Sequence, residues 1–161
     1  MSRWFRSYGF AEVADRLLVG AYPLDDEDVA MLARLHVSRV LNLVEDAEYP
    51  EGAREAVSHA LAAAGIAEQR QPMPDYGGLP ASRIDTVVDQ ALEWLDAGKT
   101  VYLHCRAGWQ RSAALAAAIL TDRDGRALDQ AMAQVQTRKP SADPLPHQRD
   151  DLERWWKARS D

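Results

Sequence analysis

Short apolar runs alternate with longer stretches whose apolar residues recur every three to four positions. No other feature constrains the fold of this chain as much. RLLVGAY at 16–22 reads as a strand stopped by Pro23, and PLDDEDVAMLARLH at 23–36 as a helix with acids in its first turn, where the dipole favours them. SRVLNLV at 38–44 has the composition of a buried strand, and EGAREAVSHALAAAG at 51–65 reads as a helix stopped by Gly65. IAEQRQP at 66–72 reads as a short strand, and MPDYGGLP at 73–80 as a loop of turn formers. Within 82–98, Ile84, Val87, Val88, Ala91, Leu92 and Leu95 fall at helical spacing before Gly98. TVYLHC at 100–105 is the next strand. Helices are expected near 111–123, 126–138 and 146–159, with a proline-broken connection over 138–146.

Strands alternating with helices imply an α/β fold: a central, mostly parallel sheet of four or five strands with helices on both faces. The 161 residues show no repeat, low-complexity tract or linker, so a single domain over 1–161 is expected. A net charge of −6 fits neither nucleic acid nor an anionic membrane surface. No apolar run approaches ~20 residues, and MSRWFRSYGF lacks the apolar core of a signal peptide. One cysteine excludes an intrachain disulfide, which fits a cytoplasmic setting or simply a fold that needs no staple. That cysteine and four scattered histidines offer no metal-ligand cluster, so neither metal nor other cofactor is expected.

The cysteine lies in VYLHCRAGWQRS, at the carboxyl end of a predicted strand, in a loop that opens into a predicted helix. In open α/β sheets, ligands bind at that edge. Amides at a helix N-terminus, with the dipole behind them, form an anion site and favour thiolate over thiol. Gly108 would let the loop curve inward, and the Arg111 fork matches two phosphate oxygens. A lone cysteine is otherwise a small buried hydrophobe, and an arginine at a helix start is usually a solvated charge. Here the parts combine into one device, an anion cradle that presents a nucleophilic sulfur.

The run HCRAGWQRS resembles the signature loop of the cysteine-dependent protein tyrosine phosphatases, most closely the dual-specificity branch. The likeness extends over roughly residues 13–156, through ADRLLVGAYP, VSRVLNLV and TRKPSADPLPHQRDDLERW, with Asp75 standing 30 positions before Cys105 in MPDYGG. The resemblance implies these roles. Cys105 attacks phosphorus and forms a phosphocysteine intermediate. Arg106, Ala107, Gly108, Trp109, Gln110 and Arg111 bind the phosphate oxygens, through loop amides and the Arg111 guanidinium. Asp75 is the general acid, Ser112 assists the thiolate as leaving group, and His104 orients the loop.

Departures from the family pattern fall at Gln110, where relatives often carry a small residue, and at Trp109, which would form an apolar rim or pack on a neighbouring loop. Arg138, Lys139, His147 and Gln148 match the pattern loosely, and Tyr76, which follows Asp75, is expected to pack the loop that carries it. Arg70 and Arg149 would line the site only if folding brings them there.

The expected substrate is a phosphorylated protein or a small phosphate ester, met by a monomer without stable membrane association. Phosphotyrosine, with phosphoserine and phosphothreonine beside it, is set against inositol phosphates or phosphoinositides. Relatives acting on the latter often carry several loop cations, and here only Arg106 is basic between Cys105 and Arg111. A pseudophosphatase that only binds phosphate usually lacks the cysteine, the arginine or the acid, and this chain carries all three. A rhodanese-type sulfur carrier shares the strand–cysteine–loop arrangement, but its loops do not usually join a His-Cys-x5-Arg-Ser run to an aspartate 30 positions earlier.

Overall fold

In the computed structural model, which describes residues 1–161, five short strands form one sheet. They are β1 (Phe10–Ala14), β2 (Leu17–Gly20), β3 (Arg39–Asn42), β4 (Ala67–Arg70) and β5 (Val101–His104), in the spatial order β1-β2-β5-β3-β4. Strands β2, β5, β3 and β4 are parallel, and β1 alone is antiparallel to its neighbour. Strand β5 is central and wholly buried, as its unbroken apolar run requires when both faces are covered.

Alternation along the strands divides the core in two. Leu18, Tyr102 and Val40 lie side by side across three strands and face helices α1 (Arg3–Tyr8), α2 (Asp26–Arg34) and α3 (Ala53–Ala63), through Phe5, Val29, Leu32, Val57 and Leu61. Val19, Leu103 and Leu41, one residue on, face α4 (Ala81–Asp96), α5 (Arg111–Asp124), α6 (Leu128–Arg138) and α7 (Pro146–Ser160). Helix α5 is buried from Arg111 to Thr121. Its alanines let α4 and α6 approach closely, where larger side chains would force the layer apart. No helix is long and apolar enough to cross a membrane.

The single-domain α/β fold with a mostly parallel, helix-flanked sheet agrees with the sequence reading, with one correction at the N-terminus. The strand expected over 16–22 is shorter, and it is the second arm of a hairpin whose first arm, β1, has no strong sequence signal. The turn is Asp15-Arg16, with Arg16 at φ 61°, where hairpins usually place Asn or Gly. Tertiary bonds hold it: the Arg16 guanidinium donates to Leu95 O (2.7 Å) and Lys99 O (3.2 Å). Helix α1 was also unexpected. It is too short to be stable alone. Buried Asp28 of α2 anchors it, accepting from the Ser2 amide (2.9 Å) and the Ser2 hydroxyl (2.5 Å).

Candidate active site

The functional side chains meet at the carboxyl edge of β5 and β3. Cys105 directly follows β5 and is buried, with Sγ 3.2 Å from Ser112 Oγ in the first turn of α5. No backbone N–H of residues 106–110 donates to a protein acceptor, so the loop keeps a row of amides for an anion. Gly108 has φ 76°, and a Cβ there would lie 2.6 Å from the carbonyl carbon of Gly20. The loop therefore needs glycine twice over, for the left-handed backbone and for close approach to the end of β2.

Arg111 is the largest of the fully buried side chains, 1% exposed. Its NH1 donates to Glu48 Oε2 (2.9 Å), Met73 O (2.9 Å) and, at longer range, Leu43 O (3.4 Å). Its NH2 donates to Glu48 Oε1 (2.7 Å) and Asp75 Oδ1 (3.1 Å). Burial works against its charge, but the Glu48 bond and the negative groups at Cys105, Glu48 and Asp75 outweigh it and raise its pKa. The guanidinium stays charged, oriented by a bidentate carboxylate.

Glu48, like the pocket residues Trp4 and Tyr8, is a site residue that the sequence did not single out. It ends a single 3-10 turn, Asp46–Glu48, just beyond β3. The signal was an acid-rich stretch at a strand's carboxyl edge, but Glu45, Asp46 and Glu48 were equivalent on that criterion.

Asp75 sits in the 73–80 loop, its side chain 27% exposed and ion-paired to Arg111. The first turns of α7 brace this loop. Gln148 Nε2 donates to Gly77 O (3.1 Å), His147 Nε2 lies 3.0 Å from Tyr76 O, and Asp151 Oδ2 accepts the Leu79 amide (2.8 Å). His147 and Gln148 thus hold the loop that carries Asp75. Tyr76 projects from it, 67% exposed with φ 61°, and does not pack the loop.

His104 is fully buried, its Nδ1 3.1 Å from Cys105 O. Burial lowers its pKa to about 4, so the ring is neutral and contributes no charge to the site. Lys139 is no substrate contact. It is buried, its ammonium donates to Ser141 Oγ (2.7 Å), and burial lowers its pKa against an opposing pull from Cys105. Three further arginines are also corrected as pocket candidates. Arg138 is exposed outside the pocket lining, Arg70 pairs with Asp46, and Arg149 pairs with Asp143. No group of His, Cys, Asp or Glu side chains is placed to hold a metal ion.

Above Cys105 and Arg111 the pocket, about 100 Å³, is walled by aromatic rings: Trp4 and Tyr8 from α1, Tyr76 from the acid loop, and Trp109 from the cysteine loop. Trp109 is 43% exposed and meets Tyr8 edge to face at 5.3 Å between centroids, so it is the apolar rim. Arg106 lies over the Trp4 ring, 4.8 Å from its centroid. Gln110 also lines the pocket. Larger clefts between α4 and α7 and between α2 and α3 hold none of this chemistry.

A doubly covered α/β sheet with a cysteine–arginine anion loop and an opposed aspartate defines a cysteine-based phosphatase. The family model described as "dual specificity phosphatase, catalytic domain" matches residues 18–157, and the chain belongs to that family. Among solved structures, Tk-PTP in its active form superposes with a TM-score of 0.81 at 24% identity, covering 91% of this chain and 96% of that one. PTPMT1 gives 0.81 at 24% identity, with 94% and 98% covered. Human DUSP28 gives 0.74 at 22% identity, with 94% and 95% covered. At these identities the likeness extends to the fold. No curated protein matches the chain in sequence.

Proposed function

We propose that this phosphatase acts on phosphotyrosine in proteins, with slower turnover of phosphoserine and phosphothreonine. The observation that carries this reading is the shape of the pocket: a cysteine–arginine floor inside aromatic walls, with Arg106 as the single further cation of the lining. Tyr8, Tyr76 and Trp109 suit a phenyl ring. A headgroup bearing more than one phosphate would need further positive charge. The one other cation in the loop, Arg106, is stacked on Trp4. PTPMT1 has been solved in complex with PI(5)P, so inositol phosphates are the comparison substrates.

The arrangement supports a two-step displacement. A substrate phosphate lies against the amides of 106–111 and takes the place of Asp75 at Arg111 NH2, while Glu48 keeps the guanidinium oriented; these donors stabilise the charge of the transition state. The Cys105 thiolate attacks phosphorus. An S–P bond forms, the ester P–O bond breaks, and Asp75 gives its proton to the leaving oxygen. Water then attacks the phosphocysteine, Asp75 takes its proton, and thiolate leaves as inorganic phosphate forms. The Ser112 hydroxyl, 3.2 Å from sulfur, donates to the departing thiolate.

The test is kcat/KM, without added metal and near pH 6, for a phosphotyrosine peptide, the matching phosphoserine and phosphothreonine peptides, and soluble inositol phosphates. The reading expects the phosphotyrosine peptide to lead by about two- to tenfold, the scale of an aromatic contact of about 0.5–1.5 kcal/mol. Faster turnover of inositol phosphates would replace it with the phosphoinositide reading.

A further inference from the structure

The N-terminal helix reaches the phosphate loop through one hydrogen bond that the family signature does not contain. Trp4 Nε1 donates to Arg106 O at 2.7 Å, and the Tyr22 amide donates to the same carbonyl at 3.1 Å. In a trans peptide the carbonyl and the following N–H point in opposite directions. An Arg106 carbonyl held outward by two donors therefore turns the Ala107 N–H toward the loop interior, where it has no protein acceptor. The Trp4 ring also holds the Arg106 guanidinium against its face, at the wall of the pocket.

Trp4 is held in turn. It meets the Tyr22 ring edge to face at 5.9 Å, and α1 is tied to α2 by the paired bonds from Ser2 to buried Asp28. Asp28 also accepts the Leu24 amide at 2.8 Å, so one buried carboxylate joins the N-terminal segment to the chain that follows β2.

The geometry points to Trp4 as a positioning residue of the phosphate loop: its indole N–H fixes the 106–107 peptide in the phosphate-binding orientation, and phosphate affinity depends on α1 being docked. This rests on the loop binding phosphate, though not on which ester is cleaved.

Trp4→Phe keeps a ring over Arg106 and removes only the donor. The wild type and this variant are compared in p-nitrophenyl phosphate hydrolysis, in inhibition by orthovanadate, in calorimetric binding of inorganic phosphate, and in melting temperature. Loss of one neutral hydrogen bond predicts phosphate and vanadate binding weaker by about fivefold, a KM raised by a similar factor, and little change in melting temperature. A purely structural role would lower the melting temperature and the active fraction while leaving KM and vanadate inhibition alone, and that result overturns the assignment. So does a variant indistinguishable from wild type.

Ser2→Ala loosens the helix anchor without touching the loop and should weaken vanadate binding in the same direction. If Trp4→Phe does not fold, this second variant decides, and wild-type vanadate affinity in it rejects the proposal. If the wild type hydrolyses no aryl phosphate, the proposed function fails, while calorimetry with inorganic phosphate still decides the role of Trp4.

Discussion

Replacing Glu48 by Gln sets two electrostatic effects against each other at the centre of the site. Arg111 is 1% exposed and takes its orientation from two bonds to this carboxylate, at 2.9 and 2.7 Å. Gln keeps one acceptor, but its NH2 group then faces a guanidinium N–H. One charge-assisted bond is lost, worth about 1.5–3 kcal/mol. Against this, removing an anion from beside Arg111 leaves the guanidinium freer to bind phosphate. The loss should win. The remaining partners are the Asp75 carboxylate at 3.1 Å and the carbonyls of Met73 and Leu43, and none grips the planar fork from two atoms at once.

If that energy is expressed mainly in the transition state, kcat/KM for p-nitrophenyl phosphate falls by about 10- to 150-fold. Any part expressed in the fold appears as a lower melting temperature, about 2–4 °C for each kcal/mol in a domain of this size. The assay is steady-state kinetics beside thermal unfolding for wild type, Glu48→Gln and Glu48→Ala. Unchanged or increased kcat/KM in the Gln variant would show that Glu48 competes with phosphate instead of orienting its arginine, and would refute the reasoning.

Cys105→Ser should abolish turnover, and Asp75→Asn should lower kcat by about 10²–10⁴ for substrates with poor leaving groups while leaving phosphate affinity nearly intact; a serine variant as active as wild type would remove the nucleophile assignment. Gly108→Ala combines a left-handed backbone, about 1–2 kcal/mol for a residue with a Cβ, with a 2.6 Å approach to Gly20, so it should lose vanadate binding while the far side of the sheet stays folded by circular dichroism. His104 has a folded pKa of about 4 against an ordinary value of 6.5, so the unfolded chain binds the proton first. The stability it contributes is fully present above about pH 6.5 and is lost as pH falls toward 4, by up to about 3 kcal/mol. Wild type should therefore lose melting temperature more steeply than His104→Asn between pH 7 and pH 4.5, and parallel curves would contradict the assignment.

The sequence by itself determined the parts whose physics is local. Short apolar runs bounded by turn formers located β3 and β5, a weaker run located β4, and helical spacing with capping and stop signals located the helices from α2 to α7, since burial leaves that imprint on the chain. The cysteine loop was legible for the same reason. Cys105, Gly108, Arg111 and Ser112 lie within eight consecutive positions, and a strand leading into a helix leaves few ways to arrange them.

Tertiary structure decided what distant segments do to one another. β1 and α1 carry weak local signals and exist because Arg16 reaches Leu95 and Lys99 and because Ser2 reaches Asp28. Glu48 was one acid among several until the fold set it against Arg111, 63 positions away. Trp4 and Tyr8 became walls of the pocket only when α1 docked beside the cysteine loop. A hydrogen bond across a hundred residues, such as that from Trp4 to Arg106, leaves no mark on the spacing of either end. It depends on where the sheet brings two loops together, and that depends on the packing of the whole core.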